Sequence, residues 1–178
     1  MKLLFCDNSL RELLNFRGDI IRHFVAKGYQ VVLVAPRTDE SPIPEGCSYV
    51  ETQLERCGMN PLHDLKYFWI VFNTYRKEKP GFVFHYTIKP NIYGSISARI
   101  LGIPSTAMVT GLGYVFNHND FRSKIARRLY KLGLWASRKV IVLNEECRRV
   151  LLDKQIIPED KLLFFDSGEG VNLDLYKP

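Results

Sequence analysis

The stretch "FRGDIIRHFVAKGYQVVLVAP" (16–36) decides the fold. Its first half places four apolar side chains on one face of a helix that stops at Gly28: Ile20, Ile21, Phe24 and Val25. Its second half is a β-branched run closed by Pro36, which is typical of a strand buried on both faces. Together with the apolar "KLLFC" (2–6), the stretch predicts a strand, a helix and a second strand.

The same alternation continues along the sequence. Further strands are predicted at 48–54, 82–87, 105–109, 139–143 and 161–165, and further helices at 62–80, 91–102, 121–137 and 144–155. This order predicts an α/β fold with a doubly wound, Rossmann-like parallel sheet. Ligands of such folds bind beyond the carboxyl ends of the strands, where the strand order switches. The loops expected at that edge are 7–16, 36–46, 87–91, 110–120 and 144–146.

The composition is that of one globular domain. The sequence has 178 residues, of which 46% are apolar and 25% are charged. No apolar run approaches the ~20 residues of a membrane span, and the apolar stretch at the N-terminus is too short for a signal peptide. The cysteines at 6, 47, 57 and 147 lack CxxC spacing, which predicts reduced thiols in a cytoplasmic protein without a structural metal.

Two common phosphate-binding patterns are absent from the sequence. There is no G-x-G-x-x-G after the first predicted strand and no G-x-x-x-x-G-K-[ST] anywhere. Their absence counts against a dehydrogenase and against a P-loop nucleotide hydrolase.

The stretch "TIKPNIYGSISARILGIP" (87–104) leads from a predicted strand into a predicted helix. Lys89, Asn91 and Gly94 stand at the mouth of that helix, where free amides attract anions, so one interpretation is a phosphate-bearing ligand. The other is plain helix initiation, with Pro90 ending the strand.

Two further features could take part in binding. In "TGLGYVF" (110–116), Gly111 and Gly113 permit a sharp turn and the close approach of a ligand, although an ordinary turn explains them equally well. Arg17, beside Phe16 at the start of the first predicted helix, could hold a phosphate through two N–H donors or be solvated.

The net charge of +6 is concentrated in one window. Residues 117–139 hold seven basic side chains against one acid, Asp120. The predicted helix there has an apolar face (Phe121, Ile125, Leu129, Leu132, Trp135 and Ala136), with basic residues mostly off it (Arg122, Lys124, Arg128 and Lys131). It either meets an acidic surface or packs with its basic face in solvent, and both can hold. No nucleic-acid-binding motif accompanies the charge.

Four segments taken together resemble one family: "NFRGDIIRHFVAKGYQVVLVAP", "KPNIYGSISARILGIP", "TGLGYVF" and "SGEGVNLDLYKP". They are similar to the N-terminal half of retaining, family-four glycosyltransferases with the GT-B architecture. The likeness is to bacterial enzymes that extend polyprenyl-diphosphate-linked sugars for capsule, O-antigen or related glycans. The resemblance implies an acceptor-binding domain at 1–165 and, at 166–178, the start of a linker to an absent C-terminal donor-binding domain.

The resemblance also implies roles for particular residues. Phe16 and Arg17 would border the acceptor cleft, Lys89 and Asn91 would lie near the acceptor's diphosphate or first sugar, and Gly94 would permit close backbone approach. The donor-facing loop would consist of Thr110, Gly111 and Gly113, with Thr110 standing where the family often has a histidine. The membrane-facing residues would be Arg122, Lys124, Arg128 and Lys131. Nothing in this half is assigned a catalytic role.

The function implied is half of a hexosyl- or glycosyltransferase that is inactive alone and peripherally associated with the membrane. The implied partners are a lipid-linked saccharide acceptor, a nucleotide sugar held by the absent domain, and the inner face of the cytoplasmic membrane, with no nucleic acid. No cofactor or metal is expected, because the nucleotide sugar is a substrate. The alternative is a non-catalytic membrane-anchoring subunit that recruits a separate catalytic chain.

Overall fold

The computed structural model describes residues 1–37, 39–55, 60–112, 116, 120–166, 168 and 170, and of Arg122 it describes the backbone alone. The strands are β1 (Lys2–Cys6), β2 (Gln30–Ala35), β3 (Cys47–Glu51), β4 (Phe82–Tyr86), β5 (Ser105–Val109), β6 (Lys139–Val142) and β7 (Leu162–Phe164). They form one sheet in the order β3-β2-β1-β4-β5-β6-β7, and all neighbouring strands are parallel. The predicted α/β, Rossmann-like class is confirmed.

The helices that connect the strands are α1 (Leu10–Ala26), α2 (Pro61–Glu78), α3 (Ser95–Ile100), α4 (Phe121–Ala136) and α5 (Glu145–Asp153). A π-helical segment, Pro90–Gly94, leads directly into α3, and a 3₁₀ turn, Glu159–Lys161, leads into β7. The strand order reverses between β1 and β4, because the chain first builds outward to β3 and then returns to the other side of β1. The cleft expected for this topology therefore lies at the carboxyl ends of β1 and β4.

The two faces of the sheet are covered by different helices. On β1, Leu3 and Phe5 are buried on one face in a cluster with α1, whereas Leu4 and Cys6 are buried on the other with α2 and α3. The alternation follows from the two-residue period of a strand. A third cluster packs α4 and α5 against β5 and β6. Both faces of the central strands are thus apolar, as the β-branched run in 30–36 predicts.

Helix α1 begins six residues before its predicted start at Phe16. The Ser9 side chain accepts a hydrogen bond from the Glu12 amide and so caps the helix, while Leu10 and Leu13 are buried beneath its first turns. The prediction of a loop over 7–16 was therefore wrong beyond Ser9. As a consequence Arg17 lies in the middle of α1, not at its start.

Two glycines permit close packing that a larger residue would block. A β-carbon on Gly133 of α4 would lie 2.6 Å from Ile92 Cα and 2.7 Å from the Asn91 carbonyl oxygen. A β-carbon on Gly94 would lie 2.5 Å from Cδ2 of His85. Real β-carbons do not approach other atoms this closely, so both positions need glycine for packing.

We expect Gly133→Ala to destabilise the fold by about 1–3 kcal/mol, because the clash is with backbone that cannot rotate away. Without the clash, the same change inside a helix would stabilise by up to about 1 kcal/mol. Gly18→Ala in α1 is the matched control, since its β-carbon would meet the flexible end of Arg22 at 3.2 Å. Urea unfolding measures both variants. Equal stability of the two would contradict this account of how α4 packs.

Candidate functional site

A cleft of about 260 Å³ opens at the carboxyl edge of the sheet. Its walls come from the segments that follow β1, β3, β4 and β5: Asn8, Leu54, Thr87, Ile88, Lys89, Thr110 and Gly111. It therefore sits at the reversal of strand order between β1 and β4. Of the residues predicted from the sequence, the structure brings Lys89, Thr110 and Gly111 to this one cleft.

Lys89 is held in the cleft wall by an ion pair. Its Nζ lies 2.8 Å from Oδ1 of Asp64 on α2, and both side chains are mostly buried. An ammonium group has three N–H donors, and the buried Nζ of Lys89 contacts no acceptor other than Asp64 among the described residues. The pair fixes the position of the cation and offsets part of its charge.

Thr87, directly after β4, has an unusual backbone conformation. Its φ of 67° lies in the left-handed region, which a β-branched residue rarely adopts and which costs on the order of 1–3 kcal/mol. The Thr87 hydroxyl lies within hydrogen-bond distance of two acceptors, the Tyr86 carbonyl oxygen and, at 3.4 Å, Oδ1 of Asp7, and it can donate its one proton to either. Strain of this kind concentrates at functional sites, and here it sets the direction in which the chain enters the cleft wall.

Asp7 lies beneath the cleft and was not among the predicted site residues. It is 4% exposed, and its Oδ1 accepts a hydrogen bond from the Asn8 amide at 2.6 Å. Burial raises the pKa of this carboxyl to about 7, although the Asn8 amide and the Arg17 charge act to lower it. A sequence signal did exist, because Asp7 and Asn8 are the first polar residues after a buried strand at the expected edge.

Arg17 and Phe16 do not line the cleft. The Arg17 guanidinium is 5% exposed, packs 4.6 Å over the Tyr86 ring and donates to the sulfur of Met108 at 3.4 Å. Phe16, in contrast, is 67% exposed. The buried arginine supplies positive charge next to Asp7, whereas the phenylalanine ring projects from α1.

Asn91 and Gly94 lie under the cleft wall. Asn91 is 1% exposed, and its side-chain amide donates to the Met108 carbonyl oxygen at 2.7 Å, which ties the π-helical segment to β5. Gly94 packs on His85, whose ring nitrogens meet Tyr75 and Ser95. The predicted contacts of Asn91 and Gly94 with an acceptor stay predictions, and the observed contacts are with the protein itself.

His85 is a packed residue in this structure. It is fully buried, with Nε2 2.9 Å from the Tyr75 hydroxyl and Nδ1 3.2 Å from the Ser95 hydroxyl. Burial lowers its pKa to about 3, so the ring is neutral at physiological pH. The geometry identifies His85 as a packed core residue and not as a general base.

Thr110 and Gly111 follow β5 and are both exposed on the cleft. A β-carbon on Gly111 would meet no atom of a described residue within 4 Å. Gly113, the third residue predicted for the donor-facing loop, and 171–178 of the predicted linker lie outside the described residues.

Helix α4 carries its apolar residues differently from the prediction. Phe121, Ile125, Leu132 and Trp135 are exposed, whereas Leu129 and Ala136 of the predicted apolar face pack inward together with Tyr130, Gly133 and Leu134. Lys124, Arg128 and Lys131 are exposed as well, whereas the Arg122 side chain lies outside the described residues. Exposed apolar and basic side chains therefore share one helix surface, called the α4 face below.

Within the part of the chain that the structure describes, no helix is both long enough and apolar enough to cross a bilayer.

The chain matches a family model, and it also resembles solved structures. The model for "Glycosyltransferase Family 4" covers residues 18–164. Comparison with curated protein sequences gives no match. A UDP-N-acetylglucosamine 2-epimerase from Rickettsia bellii aligns over 95% of this chain and 45% of its own, with 19% identity and a TM-score of 0.68.

Two glycosyltransferases have the same fold. One from Rickettsia africae aligns over 99% of this chain and 45% of its own, with 12% identity and a TM-score of 0.60. The lipopolysaccharide outer core galactosyltransferase WaaB aligns over 92% and 44%, with 9% identity and a TM-score of 0.63.

At such identities these likenesses show the fold alone, and the chain spans less than half the length of each of these structures. The family match carries more, because it extends from the middle of α1 to the end of β7. The chain belongs to glycosyltransferase family 4 and has the fold of the N-terminal, Rossmann-like domain of GT-B enzymes.

Proposed function

We propose that this chain is the acceptor-binding half of a retaining glycosyltransferase that extends a polyprenyl-diphosphate-linked saccharide in capsule, O-antigen or related glycan synthesis. The observation that carries the proposal is the cleft between β1 and β4, with a fixed lysine in its wall and a buried arginine beside it. Cations at such positions suit the two phosphates of the acceptor. The donor would be a nucleotide sugar held by a second domain.

The α4 face supports an acceptor that resides in a membrane. Phe121 is 77% exposed and Trp135 is 52% exposed, and both stand among basic side chains. The guanidinium of Arg99 lies 5.3 Å from the Trp135 ring, and Nζ of Lys161 lies 5.4 Å from it. Basic residues near an anionic leaflet contribute about 1 kcal/mol each, and exposed aromatic rings suit the interface.

We expect Lys89→Ala and Arg17→Lys each to weaken acceptor binding by about tenfold, or ~1.4 kcal/mol. The first variant removes a positive charge near the diphosphate, and the second removes the paired N–H donors of a guanidinium. The lysine substitution keeps the buried charge of Arg17, which protects the fold. The measurement is an NMR titration with a farnesyl-diphosphate-linked saccharide, and separately with UDP.

Lys77→Ala, an exposed lysine near the end of α2, is the matched control for that titration and should bind as the wild type does. Unchanged affinity in both cleft variants would overturn the assignment of these residues. Saturable binding of UDP in place of the saccharide would mean that the chain holds the donor. The absence of chemical-shift changes with both ligands would favour the membrane-anchoring subunit as the function.

We expect Lys124→Glu, Arg128→Glu and Lys131→Glu, combined in one variant, to lower binding to phosphatidylglycerol-containing vesicles by about 100-fold or more, since each basic residue contributes ~1 kcal/mol. Vesicle sedimentation measures this, and binding should weaken as salt is raised. The control variant reverses Lys27, Arg76 and Lys77, which are also exposed and lie away from α4 in sequence. Equal loss in both variants would indicate a general charge effect and would contradict a docking role for the α4 face.

A further inference from the structure

The side chain of Asn8 presents an unused hydrogen-bond acceptor at the cleft. Asn8 lines the cleft directly after β1, and its Oδ1 is buried and accepts no hydrogen bond from any residue that the structure describes. A buried acceptor without a donor costs stability, so such a group in a cleft wall points to a donor that arrives with a ligand.

The backbone of Asn8 is held by its neighbours on both sides. Its backbone N–H donates to Oδ1 of Asp7 at 2.6 Å, and the next residue, Ser9, is fixed as the cap of α1. The Asn8 backbone is therefore anchored from both sides, and the side chain extends from a fixed point into the cleft wall.

The opposite wall is anchored to the same carboxylate. Oδ1 of Asp7 also lies 3.4 Å from the hydroxyl of Thr87, the residue with the strained backbone after β4. One buried carboxylate thus connects the segment after β1 with the segment after β4, on the two sides of the strand-order reversal.

The charges divide the cleft into two parts. On the Asp7 side, the charges of Asp7 and the buried Arg17 offset each other, and the Asn8 amide oxygen is an acceptor that suits a neutral hydroxyl donor. On the other side, Lys89 carries positive charge. This arrangement suits a ligand with a phosphate at one end and hydroxyl groups at the other.

We propose that Asn8 Oδ1 accepts a hydrogen bond from a hydroxyl group of the saccharide in the cleft. Asp7 is the positioning residue, because its carboxylate holds the Asn8 backbone and the Thr87 hydroxyl in place for this contact. The inference rests on the proposed function, because it names the part of the same cleft that recognises the sugar.

The titration of Asp7 gives a readout that a structural role would not produce. Its pKa is raised from 3.8 to about 7, so the folded state keeps the proton to higher pH than the unfolded chain. The stability due to this proton is complete below pH 3.8 and is lost as pH rises through 7. Saccharide affinity should instead increase as pH rises through 7, because the ionised carboxylate forms stronger hydrogen bonds to Asn8 and Thr87 than the protonated one does.

Ionisable groups that act on Asp7 come from three elements and belong to the same titration: Cys6 of β1, Glu12 and Arg17 of α1, and Tyr67 of α2. Asp7→Asn keeps the shape of the side chain and removes the titration. The variant should therefore bind saccharide with an affinity that is flat from about pH 5.5 to 8.5, whereas the wild type gains affinity over that interval.

The decisive experiment compares two probes by NMR titration: farnesyl diphosphate, and farnesyl diphosphate carrying N-acetylglucosamine, N-acetylgalactosamine, glucose or galactose. We expect Asn8→Ala to lower affinity for the preferred saccharide-bearing probe about tenfold and to leave farnesyl diphosphate unchanged. Lys89→Ala should lower affinity for both. Asn8→Ser serves as a second variant should the alanine variant fail to fold.

The outcomes separate this inference from the proposed function. If wild-type protein binds the saccharide probes and Asn8→Ala affects both probe types equally or neither, the inference is wrong and the proposed function stands. If Asp7→Asn retains the wild-type pH dependence, Asp7 does not have the positioning role. If no saccharide probe binds the wild type, the proposed function fails, and the inference fails with it.

Discussion

The hydrogen bond from the Asn91 side chain to the Met108 carbonyl oxygen anchors the segment on which the cleft depends. It joins the π-helical segment to β5 at the point where the chain has just left β4. Gly133 of α4 then lies directly against the backbone of the same segment, and Gly94 lies against His85 below it. Three contacts from different elements therefore fix a short stretch of unusual helix, and that stretch positions Lys89 in the cleft wall.

A buried polar layer supports this arrangement. His85 is neutral and is held between the hydroxyl groups of Tyr75 and Ser95, while Cys6 contacts the hydroxyl of Tyr67 at 3.6 Å. Burial raises the pKa of the Cys6 thiol to about 11, so it too stays uncharged at physiological pH. These groups hold β1, β4, α2 and α3 together without a change of charge near neutral pH. Asp7, nearer the cleft, differs in having a pKa of about 7.

The fold was largely predictable from the sequence, and the site was predictable in part. Strand–helix alternation and β-branched runs such as 30–36 predict a parallel sheet because both faces of its strands are buried. The edge at which Lys89, Thr110 and Gly111 meet follows from the topology. The contacts of Asn91, Gly94 and Gly133 could not be predicted, because they depend on which helix packs against which backbone. Helical periodicity likewise did not reveal that Phe121, Ile125, Leu132 and Trp135 of α4 face outward, since an apolar stripe looks the same in a core and at an interface.

The direction of α4 has a geometric consequence. In a parallel α/β sheet, a connecting helix begins at the edge where the preceding strand ends, so Phe121 at the start of α4 lies toward the same edge as the cleft. A protein resting on a bilayer by that helix would hold the cleft close to the lipid surface. Under the proposed function, encounter with a lipid-linked acceptor would then become a search in two dimensions, governed by lateral diffusion and by the surface density of the lipid, with bulk concentration of little importance.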